Sequence, residues 1–321
     1  MKTPSPADAT AWPPLIVVVG PTAVGKTALA IRLVESVGGE ILSADSRQIY
    51  RGMDIGTAKA TPQEQARARH HLIDLIDPDE VLGLAQFQAL AYALIDRLHA
   101  QGTTPFLVGG TGQYVQAVVE GWQVPRVEPD EALRRELYEQ AETAGAQALH
   151  DRLRALDPAA AERIDARNVR RIVRALEVCL LTGQPISRQQ TKQPPPYRIL
   201  RLGLSLPRSQ LYQRIDRRVD AMMAAGLEAE VRGLVARGYG FDLPALSGVG
   251  YGQFAPYLAG EATLDDVVRE IKQATRRFVR QQGNWFRQND PLIHWLDAAD
   301  EPFAPALARV ESFLEGVWPP A

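Results

Sequence analysis

Leu15-Ile16-Val17-Val18-Val19-Gly20-Pro21-Thr22-Ala23-Val24-Gly25-Lys26-Thr27 is the stretch that decides the fold. Five consecutive apolar residues suit a strand buried on both faces of a parallel sheet. Gly20 to Thr27 then matches G-x-x-x-x-G-K-[ST] in full, and Ala28, Leu29, Ile31, Leu33 and Val34 follow with helical spacing. Strand, glycine loop, helix is the context that gives this motif its meaning. The loop N–H groups and the helix N-terminus form a cradle for an anion. Lys26 brings a mobile positive charge to the terminal phosphate, and the Thr27 hydroxyl is placed to hold Mg²⁺. A glycine turn that merely capped a helix would explain neither residue. Gly20, Pro21, Thr22, Ala23, Val24, Gly25, Lys26 and Thr27 are therefore expected to bind phosphate.

Outward from this stretch, Glu40 to Ala44 reads as a second strand ending at Asp45, and Pro105 to Val108 as a third ending at Gly109-Gly110-Thr111. Leu84 to Leu98 carries a helical apolar stripe between them. The alternation predicts an α/β fold, a P-loop NTPase-like parallel sheet flanked by helices. Ligands in such sheets bind at the carboxyl ends of the strands. The texture changes near Val124. Asp130 to Gly183 reads as helix throughout, closed by Gln193-Pro194-Pro195-Pro196. Arg198 to Leu206 alternates like a strand that rejoins the sheet, and long helices are expected at Arg208–Arg237 and Leu264–Gln288. The resulting division is a core of residues 12–127 and 198–300, an all-helical insertion of 128–197, and a peripheral tail of 301–321.

Thirty-six basic residues against 38 acidic ones give a net charge of −2, which excludes a uniformly basic nucleic-acid coat. The single cysteine, Cys179, excludes a disulfide framework and reads as core. No apolar run approaches a membrane helix, and Met1 to Ala11 lacks the apolar segment of a secretory signal. The expectation is a cytoplasmic, monomeric protein. Arginines cluster at Arg163, Arg167, Arg170, Arg171 and Arg174, the last four spaced to share one helix face. A second group is Arg269, Lys272, Arg276, Arg277, Arg280 and Arg287. The adjacent His70 and His71 cannot share a helix face and read as structural.

The loop names a phosphate ligand, not a reaction. A nucleotide kinase would show an Asp closing the apolar third strand, where this chain has Gly109-Gly110-Thr111-Gly112. The available carboxylate is Asp45.

Further motifs follow in order. They are Asp45-Ser46-Arg47-Gln48-Ile49-Tyr50, Met53-Asp54-Ile55-Gly56-Thr57-Ala58-Lys59, His70-His71-Leu72-Ile73-Asp74 and Gly109-Gly110-Thr111-Gly112-Gln113-Tyr114. Arg174-Ala175-Leu176-Glu177-Val178, Arg214-Ile215-x-x-Arg218, Val249-Gly250-Tyr251 and Trp285-Phe286-Arg287 complete the series. The ordered set resembles the tRNA dimethylallyltransferases over about residues 15–290. The resemblance implies transfer of a dimethylallyl group from dimethylallyl diphosphate to N6 of the adenine 3′ of the anticodon, in tRNAs reading codons that begin with U.

On that resemblance Asp45 is the general base for a weakly nucleophilic amine. Lys26, the loop amides, Mg²⁺ and Arg218 stabilise the departing diphosphate, and Thr111 helps fix the amine. The bland readings are a cap for Asp45, a solvated face or ion pair for Arg218, and a turn hydroxyl for Thr111. The target base must leave its stack, and Gln48 suits a purine edge. Contacts to tRNA are implied for Asp45, Ser46, Arg47, Gln48, Thr111, Arg134, Arg170, Arg171 and Arg174. They extend to Ser247, Gly248, Val249, Gly250, Tyr251, Gly252, Arg280, Gln281, Gln282, Trp285 and Arg287. The chain departs from the family pattern at Arg280-Gln281-Gln282 (commonly Lys-Arg-Gln), at Gly252 (often basic), at Arg47 (usually Met) and at Gln113 (usually Leu). Arg47 is expected to compensate for the charge lost elsewhere. The competing readings are prenyl transfer to free adenine nucleotides, an ATP-dependent small-molecule kinase, and a non-catalytic nucleotide-binding switch.

Overall fold

A computed structural model describes residues 12–317 apart from 124 and 126. Residues 1–11, on which the reading of the leader rests, and Val124 lie outside the described residues. The first half of the chain runs β1 (Pro14–Val19), α1 (Lys26–Val37), β2 (Glu40–Ser43), α2 (Pro62–Arg67), β3 (His70–His71), α3 (Leu84–Ala100), β4 (Pro105–Gly109) and α4 (Gly112–Glu120). Five helices follow: α5 (Glu131–Thr143), α6 (Ala146–Leu156), α7 (Pro158–Arg163), α8 (Val169–Thr182) and α9 (Ile186–Gln189). The rest is β5 (Arg198–Ser205), α10 (Arg208–Ala224), α11 (Leu227–Ala236), α12 (Phe254–Leu258), α13 (Leu264–Gln282), β6 (His294–Asp297) and α14 (Phe303–Leu314).

The strands form one sheet in the order β3-β2-β4-β1-β5-β6, every pairing parallel. β1 is central and wholly apolar after Pro14 because helices cover both faces of a parallel sheet. Its register sets Val19 beside Gly109 of β4 and Gly203 of β5, while β2 sets Ser43 beside Val108. The carboxyl end of β4 therefore lies between those of β1 and β2. At the usual spacing of ~4.8 Å per strand, the loops leaving β1 and β2 start ~10 Å apart.

By Cα packing the chain divides into two compact units, residues 119–195 and the remainder. The smaller unit begins earlier than the expected residue 128, because the end of α4 and the strand-like pairing of Gly121–Gln123 with Thr191–Gln193 belong to it. Its own core gathers Leu137, Leu149, Leu153, Ile172, Val173 and Leu176. Cys179 is buried there, as expected.

Three expectations about the larger unit need correction. The helix over Arg208–Arg237 is two helices, because Gly226 takes a left-handed conformation (φ +99°) that caps α11. The helix expected over Leu264–Gln288 stops at Gln282. Two short edge strands, β3 and β6, complete the sheet. The tail is not peripheral: α14 packs on α1 and β5, and Ala306, Val310 and Phe313 are buried in the main core. His70 and His71 make the edge strand, with His71 Nε2 2.5 Å from Glu40 Oε2 and His70 Nδ1 2.7 Å from Ala68 O. No group of three or more His, Cys, Asp or Glu side chains among the described residues could hold a metal.

Candidate active site

The phosphate loop is shaped to leave its polar groups outward. Ala23 (φ +68°) and Gly25 (φ +110°) take left-handed conformations. Gly20 passes so close to β5 that a Cβ would meet Leu204 O at 2.6 Å. α1 then starts at Lys26 with Gly25 at its cap, no capping side chain and no acidic residue in its first turn. Among the described residues no side chain caps the orphan N–H groups at the positive end of that helix, which is the arrangement an anion needs. Half-buried Lys26 folds back so that Nζ donates to Pro21 O at 2.9 Å. Burial brings its pKa down to about 8; the charge of Asp45 opposes this and that of Arg218 adds to it. The Thr27 hydroxyl makes no hydrogen bond among the described residues.

Across β4 lies the second loop. Asp45 follows β2, half-buried, and its Oδ1 accepts from Arg47 N at 2.9 Å, the Asx turn that fixes its orientation. Thr111, after β4, is fastened to the same loop. Its Oγ1 accepts from Ser46 N (3.0 Å) and donates to Ser46 Oγ (3.3 Å), and its N–H donates to Ala44 O (3.2 Å). Arg218, half-buried on α10, lies in the field of both Asp45 and Lys26. Burial lowers its pKa and Asp45 pushes back. The guanidinium has no hydrogen bond or ion pair among the described residues, which leaves its donors for a ligand. Lys26, Asp45, Thr111 and Arg218, named separately from the sequence, are thus gathered at the carboxyl ends of β1, β2 and β4.

Several residues of this site carry roles that the sequence did not show. Arg214, one helical turn before Arg218, braces the phosphate loop from behind through Val24 O and Ala298 O, both at 3.1 Å. The i, i+4 spacing within Arg-Ile-x-x-Arg was the available signal. Buried Tyr114 stacks on Phe87 with centroids 3.8 Å apart. Burial, and then the neighbouring Tyr50 and Asp45, raise its pKa. Glu230 holds the Asp54–Gly56 turn by accepting from Asp54 N (2.9 Å), Ile55 N (2.8 Å), Gly56 N (3.1 Å) and Tyr251 OH (2.7 Å).

The expected RNA contacts fall into two groups. Some side chains are already engaged. Gln48 accepts from Ser43 Oγ at 2.8 Å and donates to Ala58 O at 3.2 Å. Arg47 donates to Pro244 O at 2.6 Å and lies against Gly248, so its charge anchors the 244–248 turn. Tyr251 is 1% exposed beneath Gly56, and Gln282 is 4% exposed. Trp285 packs on Gly112. In the smaller unit, Arg134 and Arg174 both grip the fully buried carboxylate of Glu177, at 2.8 and 2.5 Å. Burial alone would raise the Glu177 pKa, but these hydrogen bonds and one from Asp130 N–H hold it below the usual range. Other residues stay exposed: Ser46 in part, Ser247, Val249, Arg280, Gln281 and Arg287 in the larger unit, Arg170 and Arg171 in the smaller. Arg167 lies in the turn before α8, paired with Asp165, so it does not share a helix face with the others.

The IPP transferase family model matches residues 48–289. The chain belongs to the IPP transferase family. It is 57% identical over 275 residues to the tRNA dimethylallyltransferase of Roseiflexus sp. (strain RS-1), covering 86% of this chain and 90% of that one. The enzyme of that name from Herpetosiphon aurantiacus is 53% identical, covering 94% and 95%. Among solved structures, a tRNA isopentenylpyrophosphate transferase of Bacillus halodurans superposes with a TM-score of 0.69 at 42% identity, covering 94% of this chain and 96% of that one. A eukaryotic dimethylallyltransferase acting on tRNA gives 0.80 at 26% identity, covering 94% and 80%. Where this member of the transferase family carries Arg47, the structure turns the extra charge inward onto a carbonyl rather than outward to compensate for charge lost at Gln281 and Gly252.

Proposed function

We propose that this chain transfers the dimethylallyl group of dimethylallyl diphosphate to the exocyclic N6 of the adenine 3′ of the anticodon, in tRNAs reading codons that begin with U, and releases diphosphate. The observation that carries the reading is the placement of an uncapped helix N-terminus with Lys26 on one side of β4 and the Asp45 loop on the other. One side suits a leaving anion and the other a nucleophile that must lose a proton.

The steps follow from these groups. The amine lone pair is delocalised into the ring, so N6 attacks well only as its proton leaves. Asp45 accepts that proton while the N6–C1 bond forms and the C1–O bond to the diphosphate breaks. Negative charge builds on the departing bridging oxygen, and Lys26, the loop N–H groups and Arg218 stabilise it. Thr111 holds Ser46, and through it the Asp45 loop, at fixed distance from the cradle. Mg²⁺ fits the chemistry of this site: the Thr27 hydroxyl, which makes no hydrogen bond among the described residues, would be the protein oxygen that holds it beside the diphosphate. When bound it would supply further charge neutralisation on the leaving diphosphate. Exposed Arg170, Arg171, Arg280 and Arg287 are proposed to contact tRNA phosphates. No helix of the described residues is long and apolar enough to cross a membrane. A monomer in the cytoplasm, where its acceptor RNA resides, is proposed.

The test mixes the protein with Mg²⁺, labelled dimethylallyl diphosphate and unmodified tRNA with adenine next to the anticodon. Label should enter RNA, and Asp45→Ala should slow it by about 10²–10⁴-fold. Label entering AMP without tRNA would favour the nucleotide-acceptor reading. Phosphate released from ATP with no label in RNA would make the kinase reading lead.

A further inference from the structure

Gln282 is the last residue of α13 and is 4% exposed. Its carboxamide oxygen accepts from Thr22 N, inside the phosphate loop, at 2.8 Å. Its amide nitrogen donates to Gly110 O, between β4 and Thr111, at 3.0 Å. One side chain thereby joins the two loops on which the transfer depends. Gly110 has no Cβ because Gln282 Nε2 occupies that space, and the Lys26 ammonium lies 3.5 Å from the same point. The end of α13 is itself pinned, since the Trp285 side chain packs against Gly112 and its backbone N–H donates to the Gln282 backbone O at 3.0 Å.

We infer that Gln282 is a positioning residue of the transfer reaction. Resting on the function proposed above, the inference assigns it a task distinct from touching RNA. Its carboxamide holds the diphosphate cradle in register with the Gly110–Thr111 turn that supports the Asp45 loop. The separation of leaving group and nucleophile is then fixed by two hydrogen bonds from one planar group. A carboxamide is the side chain for this task, because it presents a donor and an acceptor from the same rigid plane. A misplacement of ~1 Å between reacting groups costs about 10²-fold in rate.

The test measures kcat and the tRNA KM for Gln282→Ala and Gln282→Glu beside the unaltered chain, with both substrates varied. A positioning role lowers kcat about 10²-fold in Gln282→Ala and leaves the tRNA KM within about twofold. A raised tRNA KM with kcat unchanged would make Gln282 an RNA contact and overturn the inference; so would an unchanged kcat.

Gln282→Glu keeps the size and supplies a second readout. Its carboxylate can accept from Thr22 N but opposes Gly110 O with a second oxygen. Its neutral acid can both accept and donate, which restores the clasp. Burial and the facing Gly110 carbonyl raise the pKa of such a group, and the neighbouring Lys26 ammonium lowers it, so the carboxyl still titrates between its two forms as pH falls. The ratio of its kcat to that of the unaltered chain, taken at each pH, should therefore climb as pH falls, whereas a merely structural residue gives a flat ratio. This arm decides the matter even where Gln282→Ala fails to fold. A chain that transfers no label in unaltered form would defeat the function proposed above, and the inference with it. Transfer by the unaltered chain with either a flat ratio in Gln282→Glu or an unreduced kcat in Gln282→Ala defeats the inference alone.

Discussion

Lys26 is drawn out of water by the loop around it, and burial outweighs the charge of Asp45 in bringing its pKa down to about 8. The ammonium is therefore cationic below that value and neutral above it. A diphosphate binds the cation better, so binding raises the Lys26 pKa and depends on protonation of the free protein. The apparent Kd for inorganic diphosphate is expected to be level below about pH 7.5 and to weaken by up to tenfold per pH unit above pH 8. Lys26→Arg keeps its charge throughout and should flatten the rise while binding less well. A wild-type curve level to about pH 9.5 would show that the loop amides alone hold the anion. At this scale the sequence displayed residue types but not their partners. The G-x-x-x-x-G-K-T spacing fixes backbone geometry locally, so the strand-loop-helix shape was legible. The intramolecular partners of Gln48, Arg134 and Arg174 were not readable: Ser43, Ala58 and, for Arg134, Glu177 come from elsewhere in the chain, and only the Arg174–Glu177 pair lies within one helix.

Helix α8 shows how one face divides its work. Arg174 turns inward to Glu177 with Arg134, whereas Arg170 and Arg171 stay exposed without ion pairs among the described residues. Two sets of mutants should therefore behave oppositely. Glu177→Ala removes a buried, hydrogen-bonded carboxylate and should cost the smaller unit about 3 kcal/mol, read from denaturant unfolding. The folded-state pKa of Glu177 is depressed, so this stabilisation is present above its unfolded value and fades as pH falls through the folded one. Arg170→Ala and Arg171→Ala should leave unfolding unchanged, weaken tRNA binding, and each reduce the slope of log affinity against log salt by about 1. An unchanged slope would remove them from the RNA surface.

At the element scale, long apolar periodicity was readable: β1, β2, β4, β5 and α3 lie where the pattern put them. β3 and β6, of two and four residues, exist through pairing with β2 and β5 and have little pattern of their own. α14 was misplaced because its apolar residues make sense only once α1 and β5 are there to receive them.

The whole molecule keeps the proposed donor site and the insertion in separately cored units. The insertion hangs on a short ribbon. Gln193 N donates to Gly121 O and Gln123 N to Thr191 O, both at 2.8 Å, around an antiparallel bridge of Trp122 with Lys192. Gly121, at φ +62°, lies so near the Gln193 backbone that no side chain would fit. Because the two strands of the ribbon are already paired there, residues 122–192 can be replaced by a two-residue Asn-Gly turn at small cost in loop closure. The shortened chain loses none of the residues that line the phosphate loop, the Asp45 loop or α10. It is expected to unfold in one cooperative transition and to bind inorganic diphosphate within about threefold of the full chain. It should transfer label to tRNA only at much higher RNA concentration, since exposed Arg170 and Arg171 leave with the insertion and each phosphate contact contributes to affinity. Undiminished transfer at the original tRNA concentration would confine RNA recognition to the sheet-bearing unit. Loss of diphosphate binding in a chain that still unfolds cooperatively would mean the cradle takes its shape from the insertion as well.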